Sequence, residues 1–212
     1  MAIRFPGATW LLVPLSVSGI LEAQPGDLLT RIWNGVQQAQ TRYTTGCGNI
    51  TETRTSQLLS KPLVFHGKFC ADGMERFFLE YSEPEVIRIR FNHDYLNVTT
   101  GNGKRTEVID VGGNVQRTQK YFSKENSIEN LQRTFTIAAR EDSRVYELKL
   151  TPRTEAFRGR INYIVVRLAR QDFLLRSLEV DGKSGVNSVF SVDITSLNAK
   201  PPAGAFEVYR PK

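Results

Sequence analysis

The segments Arg144-Val-Tyr-Glu-Leu-Lys-Leu-Thr-Pro152, Ile161-Asn-Tyr-Ile-Val-Val-Arg-Leu168, Phe173-Leu-Leu-Arg-Ser-Leu-Glu-Val180, Val189-Phe-Ser-Val-Asp-Ile194 and Ala205-Phe-Glu-Val208 follow one another as a train of strands. Tyr146, Leu148 and Leu150 alternate with Glu147 and Lys149, which gives one apolar and one wet face. The breaks carry Pro152, Gly159, Asp181-Gly182 and Pro201-Pro202, residues that set turn dihedrals or withhold a ladder donor. Short links between successive strands predict an antiparallel meander.

The same grammar extends upstream. Thr41 to Arg54 and Pro62 to Cys70 read as a hairpin broken at Leu58 to Lys61. With its turn centred between Leu58 and Leu59, residues whose numbers add to about 117 face each other, and Cys47 and Cys70 are such a pair. A cross-strand disulfide is then geometrically open to them, as are two unpaired small residues or partners displaced by a register slip. Arg76-Phe-Phe-Leu-Glu-Tyr81 and Val86-Ile-Arg-Ile-Arg-Phe91 follow, with Phe77, Leu79 and Tyr81 matching Ile87, Ile89 and Phe91 on one face. Tyr95 to Thr100 and Thr106 to Val111 form a further hairpin around Gly101-Asn-Gly-Lys104.

Two stretches change period. Asp27 precedes Leu28, Leu29, Ile32, Trp33 and Val36 at helical spacing, and Ile128, Leu131 and Phe135 share one stripe between Glu125 and Arg140. The expected class is mainly β with an α+β character: a wide curved antiparallel sheet under few helices. Such a sheet leaves room for an apolar cavity, with the second helix placed as a lid on its concave side.

Length and termini bound the setting. The chain has 212 residues and a formal charge of +6, which survives loss of the first 23 residues because Arg4 and Glu22 cancel. Met1-Ala-Ile-Arg4 followed by the apolar run Ala8 to Ile20, interrupted by Pro14, reads as a cleaved export signal ending at Ala23, or else at Gly19. A buried first helix is the alternative, against which Pro14 and Gly19 weigh. Residues 24–212 are then expected as one exported domain. The basic surface favours anionic partners, but no Lys/Arg block stands apart from acidic neighbours, so nucleic acid is not an expected partner.

No catalytic constellation is legible. His66 and His93 are isolated from metal-type spacings, no acyl-transfer elbow occurs, and neither Gly101-Asn-Gly103 nor Asp181-Gly-Lys-Ser184 has the strand-to-helix context of a phosphate loop. A binding protein without cofactor or metal is expected, rather than an enzyme.

Order and spacing also resemble the periplasmic outer-membrane lipoprotein carriers of the LolA type. The residues that carry the likeness are Asp27-Leu-Leu-Thr-Arg-Ile32, Pro84-Glu-Val-Ile-Arg88 and Tyr146-Glu-Leu-Lys-Leu-Thr-Pro-Arg153. The closing strands to Asn198, then Pro202 and Phe206, extend it over most of residues 24–208. The resemblance implies an incomplete β-barrel with helices as a lid over a cavity for acyl chains, lined by Leu79, Tyr81, Ile87, Ile89 and Phe91, with Ile128, Leu131 and Phe135 on the lid. It implies a monomeric periplasmic carrier of acylated lipoproteins, loaded by an inner-membrane ABC-type complex and relieved of cargo by an outer-membrane receptor. Family members often place an arginine before the proline, where it helps hold the lid closed; here the residue is Glu83. A binding module of the same fold for another amphiphile, such as a glycolipid, or an envelope sensor, stands beside the carrier reading. So do an exported enzyme with an unseen site and a secreted eukaryotic lipid binder, the last suggested by the sequons Asn49-Ile-Thr51 and Asn97-Val-Thr99.

Overall fold

The computed structural model describes residues 25–73, 75–92, 95–110 and 128–209; the export signal, His93 and part of the second predicted helix lie outside them. Helix α1 (Pro25–Arg42) leads into β1 (Thr45–Ser56), β2 (Leu63–Asp72), β3 (Arg76–Glu83), β4 (Ile87–Asn92), β5 (Tyr95–Thr100) and β6 (Arg105–Asp110). Helix α2 (Ile128–Thr134) precedes β7 (Phe135–Glu141) and β8 (Val145–Pro152). The short α3 (Glu155–Arg158) separates β8 from β9 (Ile161–Ala169), and β10 (Leu175–Gly182) and β11 (Val186–Leu197) complete the sheet.

All eleven strands of the described residues belong to one sheet, in the order β6-β5-β4-β3-β2-β1-β11-β10-β9-β8-β7. Two meanders are thus stitched together by the pair β1 and β11, and β6 and β7 are left at the two margins. The β1–β2 register runs from Thr45 opposite Asp72 to Arg54 opposite Leu63, so Cys47 faces Cys70, and the two are joined by a disulfide.

Directly opposed residues share a face, so the register defines the inner surface. One row runs Val98, Ile89, Leu79, Phe69, Gly48, Ile194. The next-but-one runs Phe65, Glu52, Phe190, Leu178, Val166, Leu148, Ala139, with Glu52 its one charged member. Gly48 lies where β1 bulges against β11, and a Cβ there would stand 2.0 Å from the Asp193 carbonyl oxygen. The opposite face is polar: Glu147 bridges Arg140 and Arg167, Glu80 pairs with Arg88, and the disulfide lies on this side.

Helix α1 covers one half of the inner face. Ile32, 1% exposed, packs with Tyr146 and Leu168, while Trp33 reaches the cluster of Leu131, Phe135 and Leu150. Gly35 lets the helix lie against the Phe173 ring, since a Cβ there would approach ring carbons to 2.2 Å.

Three expectations are corrected. The second helix stops at Thr134, and Phe135 opens β7 opposite Pro152 rather than continuing a helical stripe. The Thr134 carbonyl accepts from the Arg153 amide and turns the chain into the ladder. Phe173 precedes β10 in a left-handed backbone conformation (φ 58°), outside the strand. Ala205 to Val208 form no strand: the tail crosses the outer face, where Asn92 Nδ2 donates to the Phe206 carbonyl and Arg76 stacks over the Phe206 ring.

Candidate binding cavity

The half of the inner face that α1 leaves uncovered encloses a cavity of about 870 Å³. Its wall comes from β1, β2, β3, β10 and β11: Ile50, Phe69, Phe77, Leu79, Leu178, Phe190, Val192 and Ile194. These side chains face inward because each is on the inner parity of its strand, and Gly46, which also lines the cavity, contributes no side chain to fill it. The mouth is polar, ringed by Gln40, Tyr43, Thr44, Thr45, Asp72 and Glu75 at the end of the sheet where α1 hands over to β1.

Past Ile50 the inner face closes on a polar cluster. Glu52, 2% exposed, accepts from the Tyr81 hydroxyl at 2.7 Å on one oxygen. On the other it accepts from Arg54 Nε at 3.0 Å and a terminal Arg54 nitrogen at 2.8 Å. The Arg54 guanidinium lies 4.9 Å over the Phe65 ring, and the Phe65 and Tyr81 rings meet at 5.3 Å. Burial, then the hydrogen bond to Glu52, pushes the Tyr81 hydroxyl above the ordinary tyrosine range. Tyr81 therefore acts as a neutral donor to the carboxylate at the cavity's closed end.

The structure distributes the expected cavity residues unevenly. Leu79 lines the cavity. Tyr81 belongs to its closed end, while Ile87 and Ile89 pack behind against the cluster of Phe65, Phe69 and Leu79. Phe91 is half-buried opposite Phe77, one strand further out. Leu131 and Phe135 are buried against Leu150 on the other half of the sheet, away from the cavity, and half-buried Ile128 starts the same helix. They roof no part of it. Glu83 is exposed at the end of β3, next to a cis Glu83–Pro84 peptide, with no side-chain partner among the described residues.

Glu52 and the β10–β11 wall are missing from the set that alternation suggested. Parity counted from the Cys47–Cys70 pair would have found Glu52, because it puts Gly48, Ile50 and Glu52 together on the face opposite the disulfide. His66 lies on the outer face, where its Nδ1 is 3.3 Å from the Thr51 hydroxyl. Among the described residues no group of three or more His, Cys, Asp or Glu could hold a metal, and no helix is long and apolar enough to cross a membrane.

An unclosed antiparallel sheet wrapped around an apolar cavity defines the class: a binding fold of the incomplete-barrel type. No protein-family model and no curated protein sequence matches the chain. Solved structures do. An uncharacterized conserved protein from Thermus thermophilus matches with a TM-score of 0.54 at 8% identity, over 85% of this chain and 94% of that one. The MucA/MucB complex of Pseudomonas aeruginosa matches with a TM-score of 0.50 at 13% identity over 85% of this chain, which spans 61% of the length of the matched chain. A LolA superfamily protein from Nitrosomonas europaea covers 85% of this chain and 98% of its own at 11% identity, with a TM-score of 0.43. At such identities the likeness is one of fold alone, an unclosed antiparallel sheet of the incomplete-barrel type.

Proposed function

We propose that this protein is an envelope carrier that shields the acyl chains of lipoproteins in its cavity and ferries them from the inner to the outer membrane. The observation that supports this reading is the apolar cavity of about 870 Å³, in the upper part of the roughly 300–1,000 Å³ range of small-molecule sites. Each methylene buried there contributes roughly 0.8 kcal/mol, so a long chain is held firmly while its polar head stays at the mouth. Export to the periplasm, an inner-membrane ABC-type loading complex and an outer-membrane receptor belong to the same proposal. So does a binding role without catalysis.

A second reading is an envelope sensor that binds an amphiphile and a protein partner. It is favoured by the likeness to a chain of the MucA/MucB complex. Native mass spectrometry of the protein purified from its own envelope without detergent separates the two. A bound acylated lipoprotein supports the carrier; free lipid or glycolipid supports the sensor; an empty protein that also fails to take up added acyl probes refutes both.

A further inference from the structure

The turn of the β1–β2 hairpin is written Ser56-Gln-Leu-Leu-Ser-Lys-Pro-Leu-Val64, with leucines where Asn, Asp or Gly are usual. Leu58 is 94% exposed, Val64 41% and Leu63 37%. The tip is fixed: the Leu59 amide donates to the Ser56 carbonyl at 3.1 Å and the Leu58 amide to the Ser56 hydroxyl oxygen at 3.3 Å. A lone exposed leucine is ordinary, but here Leu58 protrudes from a hydrogen-bonded tip and exposed Leu63 and Val64 flank it on the two faces of the strand behind.

Charge is arranged around that point. The β3–β4, β5–β6, β8–β9 and β10–β11 connections end at the same side of the sheet. Together with the tip they carry Lys61, Lys104, Arg153, Arg158, Arg160 and Lys183, all exposed, against Glu85, Glu155 and Glu83 at the adjoining end of β3. None of these six cations is in an ion pair among the described residues, whereas toward the other end Arg31 and Arg170 are paired with Glu141, Arg76 with Asp72 and Arg176 with Asp172, leaving Arg42 and Arg144 exposed and outside any ion pair there.

We propose that this end of the molecule docks on an anionic lipid bilayer, with Leu58 and its apolar neighbours entering the boundary between head groups and acyl chains. Apolar burial and attraction of unpaired Lys and Arg to anionic head groups are the two forces that hold peripheral proteins on membranes. A convex apolar point within a broad basic surface needs no shaped partner, which suits a fluid layer better than a folded protein. The cavity mouth is at the opposite end, so docking leaves it facing water. This inference does not depend on what the cavity holds.

The test is co-sedimentation of the purified protein with phosphatidylcholine vesicles with and without phosphatidylglycerol. Binding is expected with phosphatidylglycerol, weakened roughly tenfold by Leu58→Asp and about fivefold by each of Lys61→Gln and Lys183→Gln. In Leu58→Trp, the fluorescence is expected to shift to the blue on addition of anionic vesicles. Because Leu58 is solvent-exposed, unchanged circular dichroism is expected in both Leu58 variants and serves as the folding control. Failure of the native protein to bind, binding unaffected by Leu58→Asp, or a Leu58→Trp emission spectrum that does not move would each overturn the proposal.

Discussion

The Tyr81 hydroxyl donates to Glu52 at 2.7 Å on the inner face, joining β3 to β1 across β2. In Tyr81→Phe that carboxylate oxygen loses its donor, because Arg54 engages the other one. The expected cost is roughly 1–3 kcal/mol in urea unfolding at neutral pH. The sign of the pH dependence follows from the raised hydroxyl pKa. The neutral form is favoured by folding, so its contribution is complete below the ordinary tyrosine value of about 10 and is lost as pH rises through the higher folded value. The stability gap between native protein and Tyr81→Phe should be constant through neutral pH and narrow above about pH 10.

Leu178 is half-buried on the cavity wall between Phe190 and Val166. Leu178→Asp puts a charge against the ligand while sparing the fully buried core. Binding of a fluorescent fatty-acid probe is expected to weaken roughly tenfold or more with the circular dichroism spectrum unchanged. The same substitution at Leu79, 5% exposed, is expected to unfold the protein instead. Equal probe affinity in Leu178→Asp would place the ligand elsewhere.

Cys47 and Cys70 tie the first two strands across 23 residues of chain. Reduction, or the double substitution to alanine, is expected to lower stability by roughly 3 kcal/mol. A urea midpoint that is the same with and without reductant would show that the hairpin needs no such tie.

Asn97, 4% exposed, donates to the Tyr209 carbonyl at 3.2 Å and accepts from the Tyr209 amide at 2.5 Å. Its side chain thus serves the tail as a neighbouring strand's backbone would. Asn97→Ala is expected to free the tail, read as faster amide exchange at Tyr209 and early proteolytic trimming, with a loss of about 1–2 kcal/mol. The burial also closes the second sequon to a glycan in the folded state, whereas Asn49 is exposed.

Much of this fold could be read from the chain because antiparallel hairpins are local. One turn centre between Leu58 and Leu59 sets every β1–β2 pair from Thr45–Asp72 to Arg54–Leu63. What escaped is non-local. Phe135 falls at helical spacing from Ile128 and Leu131, yet ladder pairing with Pro152 outweighs one more turn of a short helix. Ala205 to Val208 alternates like a strand, but the margins of the sheet are β6 and β7, and the tail finds its partners in Asn92 and Asn97 instead. Strand parity placed Glu52 on the inner face, but its buried partner was not legible, because the donor Tyr81 is 29 residues away. Cavity and core read alike on β3 and β4, since both show the same alternation; the covering position of α1 distinguishes them.

The strand count has a topological consequence of its own. Every neighbouring pair in the eleven-stranded sheet is antiparallel, so directions alternate along the order and the two margins, β6 and β7, point the same way. An odd number of alternating strands cannot form a ring of antiparallel neighbours; closing it would require one parallel seam. Among the described residues, then, the two margins could meet only along a parallel seam. A strip whose margins β6 and β7 are not paired to each other can tighten or flatten its curl without breaking a described ladder, and each change of curvature changes the space beneath it.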